Sequence, residues 1–394
     1  MKILHIISSY YPATRIGGPI QSVRGLNIEL VKSGVSVDVI TTNSGLIKEE
    51  IRLNEWVDDN GVAVKYLPYL FGRNYNFSLS LFFEIVGNVK KYDLVHITSV
   101  WNFPIVAGVI SCYLKRKPYV ISPRGVLYEE AINIKSKQIK KLYYFLLAQH
   151  YLKKASAMHF TSEHERDNVA DFVSCSKDSF VVPNGVDLTQ FKVLPEKGKF
   201  RNRFSIPNEK NIILFLGRLH KQKGVDILLN AFKMYASLDK NAFLVFVGDG
   251  DGKYVNQVKM SVKKNNLENK VLFTGWLDGK DKLSAFVDSN VFVLSSYFEN
   301  FGMSVIEAMA CGVPVIVSNK VGICSEVEKY NAGMVVELNP IALCESIQRV
   351  LFDKEYASGL SRNAFMLVND RYDINKVASM MIREYEKILI RFKQ

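Results

Sequence analysis

A chain of 394 residues with 51 Lys and Arg against 39 Asp and Glu has a formal charge of +12. Its 48% hydrophobic and 23% charged content excludes a disordered chain and suits two globular domains, each with its own core. No stretch approaches the ~20 uninterrupted apolar residues of a membrane-spanning helix.

The first element is a buried strand, because the apolar run in MKILHIISSYYP is too short for a secretory signal. Apolar runs then recur at residues 37–41, 62–66, 94–97, 119–121, 157–160 and 180–182, and again at 212–216, 243–247, 271–273, 291–294 and 315–317. Strands that alternate with helical segments in this way define an α/β class with parallel sheets covered on both faces. The polar, basic stretch 192–210 lacks periodicity and divides an N-terminal domain, 1–191, from a second domain, 205–373. Five cysteines (112, 175, 311, 324 and 344), odd in number and without a C-x2-C pair, read as reduced small hydrophobes of a cytoplasmic protein.

Two segments of the second half carry chemistry. In ILFLGRLHKQKGVDILLNAF, a strand ends in a Gly-Arg turn and a basic loop, so Arg218 and Lys223 fall where a parallel sheet delivers side chains to a ligand crevice. Two fixed cations there suit a diphosphate, the arginine as a bidentate fork and the lysine as a compact charge. In SSYFENFGMSVIEAMACGVPVIVS, Glu299 lies in a loop after a strand and Glu307 on the helix that follows. Carboxylates accept hydrogen bonds from neutral hydroxyls. Between them, Asn300, Phe301, Gly302, Met303 and Ser304 supply a close-approaching backbone and the first helical turn, whose N–H groups favour an anion. Hydroxyls beside a phosphate describe a sugar nucleotide.

With those residues in place, the chain resembles the family 4 glycosyltransferases. The resemblance spans Gly17-Gly18, VVPNGVD, GRLHKQKG, VGDG, FTGWL and the Glu-x7-Glu segment with EAMACGVPV, in that order. It implies the GT-B fold: two Rossmann-like domains facing across a cleft, with a last helix near 374–394 packing back on the first domain. It implies a retaining transfer from a UDP- or GDP-linked sugar to a saccharide or lipid-linked saccharide of a bacterial surface polysaccharide. Arg218 and Lys223 would stabilise the leaving diphosphate, assisted by backbone at Gly17-Gly18 and Gly302-Met303. Glu299 would hold the transferred sugar and Glu307 the ribose. No cofactor or metal is expected, since the two cations replace a divalent ion and no acidic clamp or histidine signature stands out.

Around this core, several residues remain open to two readings. Trp276 and Leu277 pack beside the nucleobase or close the domain surface, and Gly248-Asp249-Gly250 approaches the nucleotide or is a plain turn. Many relatives carry a histidine after the strand at 119–121, where this chain has Arg124. A guanidinium is no general base near neutral pH, so Arg124 is an acceptor-side binding candidate or a bridge to a neighbouring acid. His96, inside a strand pattern, is a core or crevice residue and a second acceptor-side candidate. Between residues 111 and 154, ten Lys or Arg meet two acids, and Ile139, Leu142, Tyr143, Leu146 and Leu147 recur at helical spacing. That basic amphipathic stretch docks on an anionic membrane, peripheral on its inner face, or packs on the core with a solvated basic face. No binding module for nucleic acid accompanies the charge. Two other classes compete with the transferase. One is a non-catalytic nucleotide-sugar binding subunit, and the other a sugar-nucleotide epimerase or a phosphorylase on the same scaffold.

Overall fold

The structure is a computed structural model that describes all residues except 15–16, 47–50, 73–74 and 135–136, so Lys135 of the basic stretch lies outside the described residues. By internal contacts the chain divides into two compact units, Met1–Val186 with Ile374–Gln394, and Asp187–Asp373.

The first unit is built on an eight-stranded sheet. Its strands are β1 (Lys2–Ile6), β2 (Ser36–Thr42), β3 (Trp56–Asp59), β4 (Val62–Leu67), β5 (Leu94–Thr98), β6 (Tyr119–Ser122), β7 (Ala157–Phe160) and β8 (Ser179–Val181). They lie in the order β3-β4-β2-β1-β5-β6-β7-β8, and only β3 runs antiparallel to its neighbour. Period-two alternation explains the two-sided core. Leu4, Ile6, Val95 and Ile97 face a layer containing the helices Leu79–Asn88 and Phe103–Lys115 and residues 144–152, whereas Ile3, Leu94, Val120 and Ala157 face the helices Gly18–Lys32 and Ile374–Lys393. The last helix belongs to this unit because Val377, Ala378, Met381, Tyr385 and Ile388, at helical spacing, are all buried in that second cluster.

The second unit holds a six-stranded, all-parallel sheet. It comprises β9 (Asn211–Leu216), β10 (Ala242–Val247), β11 (Val271–Gly275), β12 (Val291–Leu294), β13 (Val315–Ser318) and β14 (Met334–Val336), in the order β11-β10-β9-β12-β13-β14. Successive strands run outward from β9 in one direction and from β12 in the other. The sheet therefore has its topological switch point between β9 and β12, where a crevice opens at the strands' carboxyl ends.

Two features differ from the sequence reading. β3 and β14 were not anticipated, and the stretch 192–210 is no free linker. It contains the helix Lys199–Arg203, fixed by Asp288, whose carboxylate accepts from the backbone N–H groups of Gly198 at 2.5 Å, Phe200 at 2.8 Å and Arg201 at 3.0 Å. The buried Arg201 guanidinium in turn donates to the carbonyls of Pro207 and Lys210, each at 3.0 Å. An acid and an arginine with all their partners inside one unit make the segment part of that unit, which starts at Asp187 rather than 205.

Candidate functional site

Arg218, Lys223 and Glu299 all lie on loops that leave the carboxyl edge of the second unit's sheet. After β9 the chain turns through Gly217 and Arg218 to a short 3-10 turn, Lys221–Lys223, and Gly224 opens the helix Val225–Leu238. Gly224 has φ 62°, and a Cβ there would stand 1.8 Å from the Ser295 carbonyl oxygen, so any side chain would drive the β9 and β12 loops apart. The two loops are clipped together by backbone as well. Tyr297 N–H donates to Gln222 O at 2.9 Å, and the Gln222 side chain donates to Phe298 O at 3.0 Å.

This clip sets the ionic arrangement. Lys223 Nζ pairs directly with Glu299, both side chains being about four-fifths buried. The Glu299 backbone is fixed by bonds to Lys320 O at 3.1 Å and from Gly322 N–H at 2.8 Å. Glu307, on the helix Met303–Ala310, pairs with Lys282 Nζ at 2.8 Å. Lys282 comes from the helix Gly279–Val287 that follows β11 and was not anticipated from the sequence. Arg218 differs from both lysines: it is exposed and has no ion-pair partner among the described residues. Gly302, at φ 98°, caps the helix Met303–Ala310, and no side chain caps the N–H groups of its first turn, at Met303 and Ser304.

The remaining donor-side candidates divide between edge and core. Gly248 follows β10, and its N–H donates to Gly275 O at 2.8 Å, which joins the β10 and β11 turns. Trp276 is exposed at the end of β11 with Leu277 half-buried beside it. Phe301 is not at the edge: its ring is buried against Tyr372, centroids 5.8 Å apart, so it offers a ligand only its backbone. Asn300 lies between the Glu299 loop and Phe301.

In the first unit, Gly17 and Gly18 open the helix Gly18–Lys32, which has Pro19 in its first turn and no side-chain cap. His96 is fully buried, and this removes it as an acceptor-side surface residue. It belongs to a cluster on β1, β5 and β7. His5 and His96 stack with centroids 4.6 Å apart, and His159 Nδ1 lies 3.3 Å from His96 Nε2. The bonding fixes the tautomers. His159 Nε2 faces the Val182 carbonyl at 2.9 Å and must donate, so its Nδ1 accepts from His96 Nε2–H, and His96 Nδ1 accepts from the Tyr385 hydroxyl at 2.5 Å. All three rings are neutral. Burial lowers His5 to about 4 and holds His96 and His159 well below the usual range.

Arg124 stands next to this cluster, buried, at φ 58° on the turn after β6. It donates to Asn184, and burial lowers its pKa to about 10, so it is charged near neutral pH. Glu165 is the neighbouring acid, its carboxylate accepting from Gly125 N–H at 2.5 Å and Thr161 N–H at 2.7 Å. Arg124 Nε, Ser122 Oγ and Asn102 Oδ1 are buried without a hydrogen-bond partner, all at the carboxyl ends of β5 and β6. Such orphaned groups cost free energy unless a ligand or water meets them.

Residues 196–366 match the family model for Glycosyl transferases group 1, and residues 16–190 match that for Glycosyltransferase Family 4. The chain belongs to the family 4 glycosyltransferases and has the GT-B fold. An uncharacterized glycosyltransferase of Methanocaldococcus jannaschii is 28% identical over 98% of this chain and 98% of its own length. The UDP-Gal:alpha-D-GlcNAc-diphosphoundecaprenol alpha-1,3-galactosyltransferase of Escherichia coli is 28% identical over 78% of this chain and 80% of its own. Among solved structures, Anabaena HepE in complex with UDP and glucose matches with a TM-score of 0.78 at 20% identity, covering 98% of this chain and 100% of that one. The activity class is accordingly glycosyl transfer from a nucleotide sugar.

Proposed function

We propose that this chain transfers a sugar, with retention of anomeric configuration and without a metal, from a nucleoside diphosphate sugar to a saccharide or lipid-linked saccharide acceptor in surface-polysaccharide assembly. The observation that carries the reading is the arrangement at the β9–β12 switch point: an exposed Arg218, and Lys223 and Lys282 each paired with a carboxylate. When the glycosidic bond to phosphate breaks, negative charge grows on the diphosphate while the sugar becomes oxocarbenium-like. Preorganised cations lower that barrier. Arg218 and Lys223 meet the diphosphate, and Lys223, held against Glu299, also orients the carboxylate that receives the sugar hydroxyls. Glu307, held by Lys282, receives the ribose hydroxyls. The acceptor attacks from the leaving-group face, and a diphosphate oxygen takes its proton, so no protein nucleophile is needed.

The E. coli relative's name, with a UDP-linked donor and a diphosphoundecaprenol acceptor, supports a UDP sugar and a lipid-linked acceptor. The chain acts at the cytoplasmic side of the membrane that holds such an acceptor. The test is the reaction of the purified chain with a panel of UDP and GDP sugars and lipid-linked saccharides, with the product's anomeric proton followed by NMR. Retention, unaffected by EDTA, supports the reading. Inversion, or activity abolished by EDTA and restored by Mg²⁺, overturns it, and tight sugar-nucleotide binding without turnover favours a binding subunit.

A further inference from the structure

The helical layer over one face of the first sheet is apolar on both of its sides. Residues 137–153 form a nearly continuous helix, Lys137–Tyr143, a π-helical turn Tyr144–Ala148, and Gln149–Lys153. Its inner face, Tyr144, Ala148, Tyr151 and Leu152, is buried on the core. Its outer face is not polar: Ile139, Leu142, Phe145 and Leu146 are each 60–69% exposed. The neighbouring helix Phe103–Lys115 adds exposed Tyr113 and Leu114. Lys154 Nζ lies 5.1 Å over the Tyr113 ring, so the ends of the two helices share one surface. By contrast, the layer on the opposite face of the sheet exposes large apolar residues only near the chain's end, at Ile390 and Phe392, among the described residues.

The charged residues of these two helices have one sign, and the nearest acids in sequence, Glu129 and Glu130, lie on the short helix Glu129–Ile134 before them. Neither helix contains a single Asp or Glu, and Arg116, Lys137, Lys153 and Lys154 are exposed at their ends. Seventeen residues span about 25 Å as a helix, too short and too basic to cross a bilayer but suited to lying in its plane. Among the described residues no helix is long and apolar enough to cross a membrane. Bulky apolar side chains flanked by cations match a boundary where acyl chains lie beneath anionic headgroups. A protein partner would have to offer a flat apolar face rimmed by acids.

We propose that this layer is a docking surface for an anionic lipid bilayer, with Ile139, Leu142, Phe145 and Leu146 entering the headgroup boundary and the terminal cations resting on the phosphates. Of the two readings of the basic stretch, the exposed stripe selects the one in which the outer face is not core. The inference goes beyond the transferase reading and does not depend on it, since it rests on residues remote in sequence from every donor-site group.

The test is co-sedimentation of the full chain with phosphatidylglycerol-phosphatidylcholine vesicles and with pure phosphatidylcholine vesicles. Wild type binds the anionic vesicles at least about tenfold better, and the preference shrinks as salt rises. Leu142→Asp with Leu146→Asp lowers binding about 100-fold or more, because each leucine's transfer from water is lost. Replacing Arg116, Lys137, Lys153 and Lys154 together by Gln lowers it several hundredfold, at about fivefold per cation. In a separate Phe145→Trp variant, vesicles shift the added fluorescence to the blue and brominated acyl chains quench it, a readout that stands even where the aspartate variant fails to fold. Nucleotide affinity, measured on the same samples, separates failure of this proposal from failure of the donor-site reading. Equal binding to neutral and anionic vesicles, or no fluorescence response from Phe145→Trp, overturns the proposal. So does stripe-dependent dimerisation in sedimentation velocity without vesicle binding, which would make a second copy the occupant.

Discussion

Replacing Lys223 by Ala removes a charge that pairs with Glu299 and, in the proposed donor site, meets the diphosphate, so the expected consequences for stability and turnover can be separated. Lys223 and Glu299 retain 21% and 19% side-chain exposure, between a solvated surface pair and a buried one. Exposed pairs contribute at most about 1 kcal/mol, while breaking a buried pair costs about 3–5 kcal/mol. Leaving Glu299 alone should therefore cost about 2 kcal/mol, a fall of roughly 4–8 °C in Tm for a unit of this size. Glu299→Gln in the same chain removes the unpaired charge and should recover most of that loss. Turnover should not recover. The diphosphate has lost a donor, worth about 100-fold or more in kcat, and the double variant lacks it too. Arg218→Ala provides the contrast: the side chain is exposed and unpaired, so turnover should fall by a similar ~100-fold with Tm unchanged. Thermal unfolding and steady-state kinetics on these three variants, with Glu299→Gln alone to close the cycle, separate the two effects. A Lys223→Ala variant with wild-type Tm and less than about a tenfold loss of kcat would leave Lys223 neither a partner of Glu299 nor a donor to the diphosphate.

Lys282→Ala should weaken nucleotide affinity about tenfold, because Glu307 loses its partner, with Lys282→Arg restoring it; calorimetry with the free nucleoside diphosphate measures both. Glu307→Gln should weaken free nucleotide and sugar nucleotide alike, and Glu299→Gln the sugar nucleotide alone; equal effects on free nucleotide would remove the division of roles. The buried histidines make the first unit acid-sensitive. Their folded pKa values lie below the unfolded value near 6.5, so the folded state binds fewer protons, and stability is complete above about pH 6.5 and lost as pH falls towards 4. His5 alone, lowered to about 4, accounts for about 3 kcal/mol, and urea midpoints between pH 7.5 and 4.5 should fall accordingly.

The alternation of buried strands was legible because a parallel strand covered on both faces is apolar at nearly every position, as in β10 and β12. The edge strand β3 escaped, being short and largely exposed, with two of its four residues acidic. Its signal lay in the turn instead: Asn60-Gly61, with φ 55° and 88°, is a two-residue hairpin connection of the type that favours these residues. Arg218, Lys223, Glu299 and Glu307 could be picked out because each lies within a short loop or first helical turns after a strand, where chain direction alone takes a residue to the carboxyl edge. Lys282 could not. β10 and β9 separate β11 from β12, and the reach of Lys282 to Glu307 on the helix after β12 is set by helix packing that no spacing encodes. Periodicity likewise located an apolar stripe at residues 139–147, but a second stripe, at 144–152, competes with it for the core. Only packing shows that Tyr144 and Tyr151 point in and Leu142 and Leu146 point out.

Whether cations at the β9–β12 edge recognise a diphosphate is tested by calorimetric affinities of nucleoside monophosphate and diphosphate for wild type and for Arg218→Ala with Lys223→Ala. Wild type should prefer the diphosphate by about 100-fold, and the double variant should lose this preference while still binding the monophosphate. Equal affinity of wild type for both nucleotides, or a preference that survives in the double variant, would contradict such recognition.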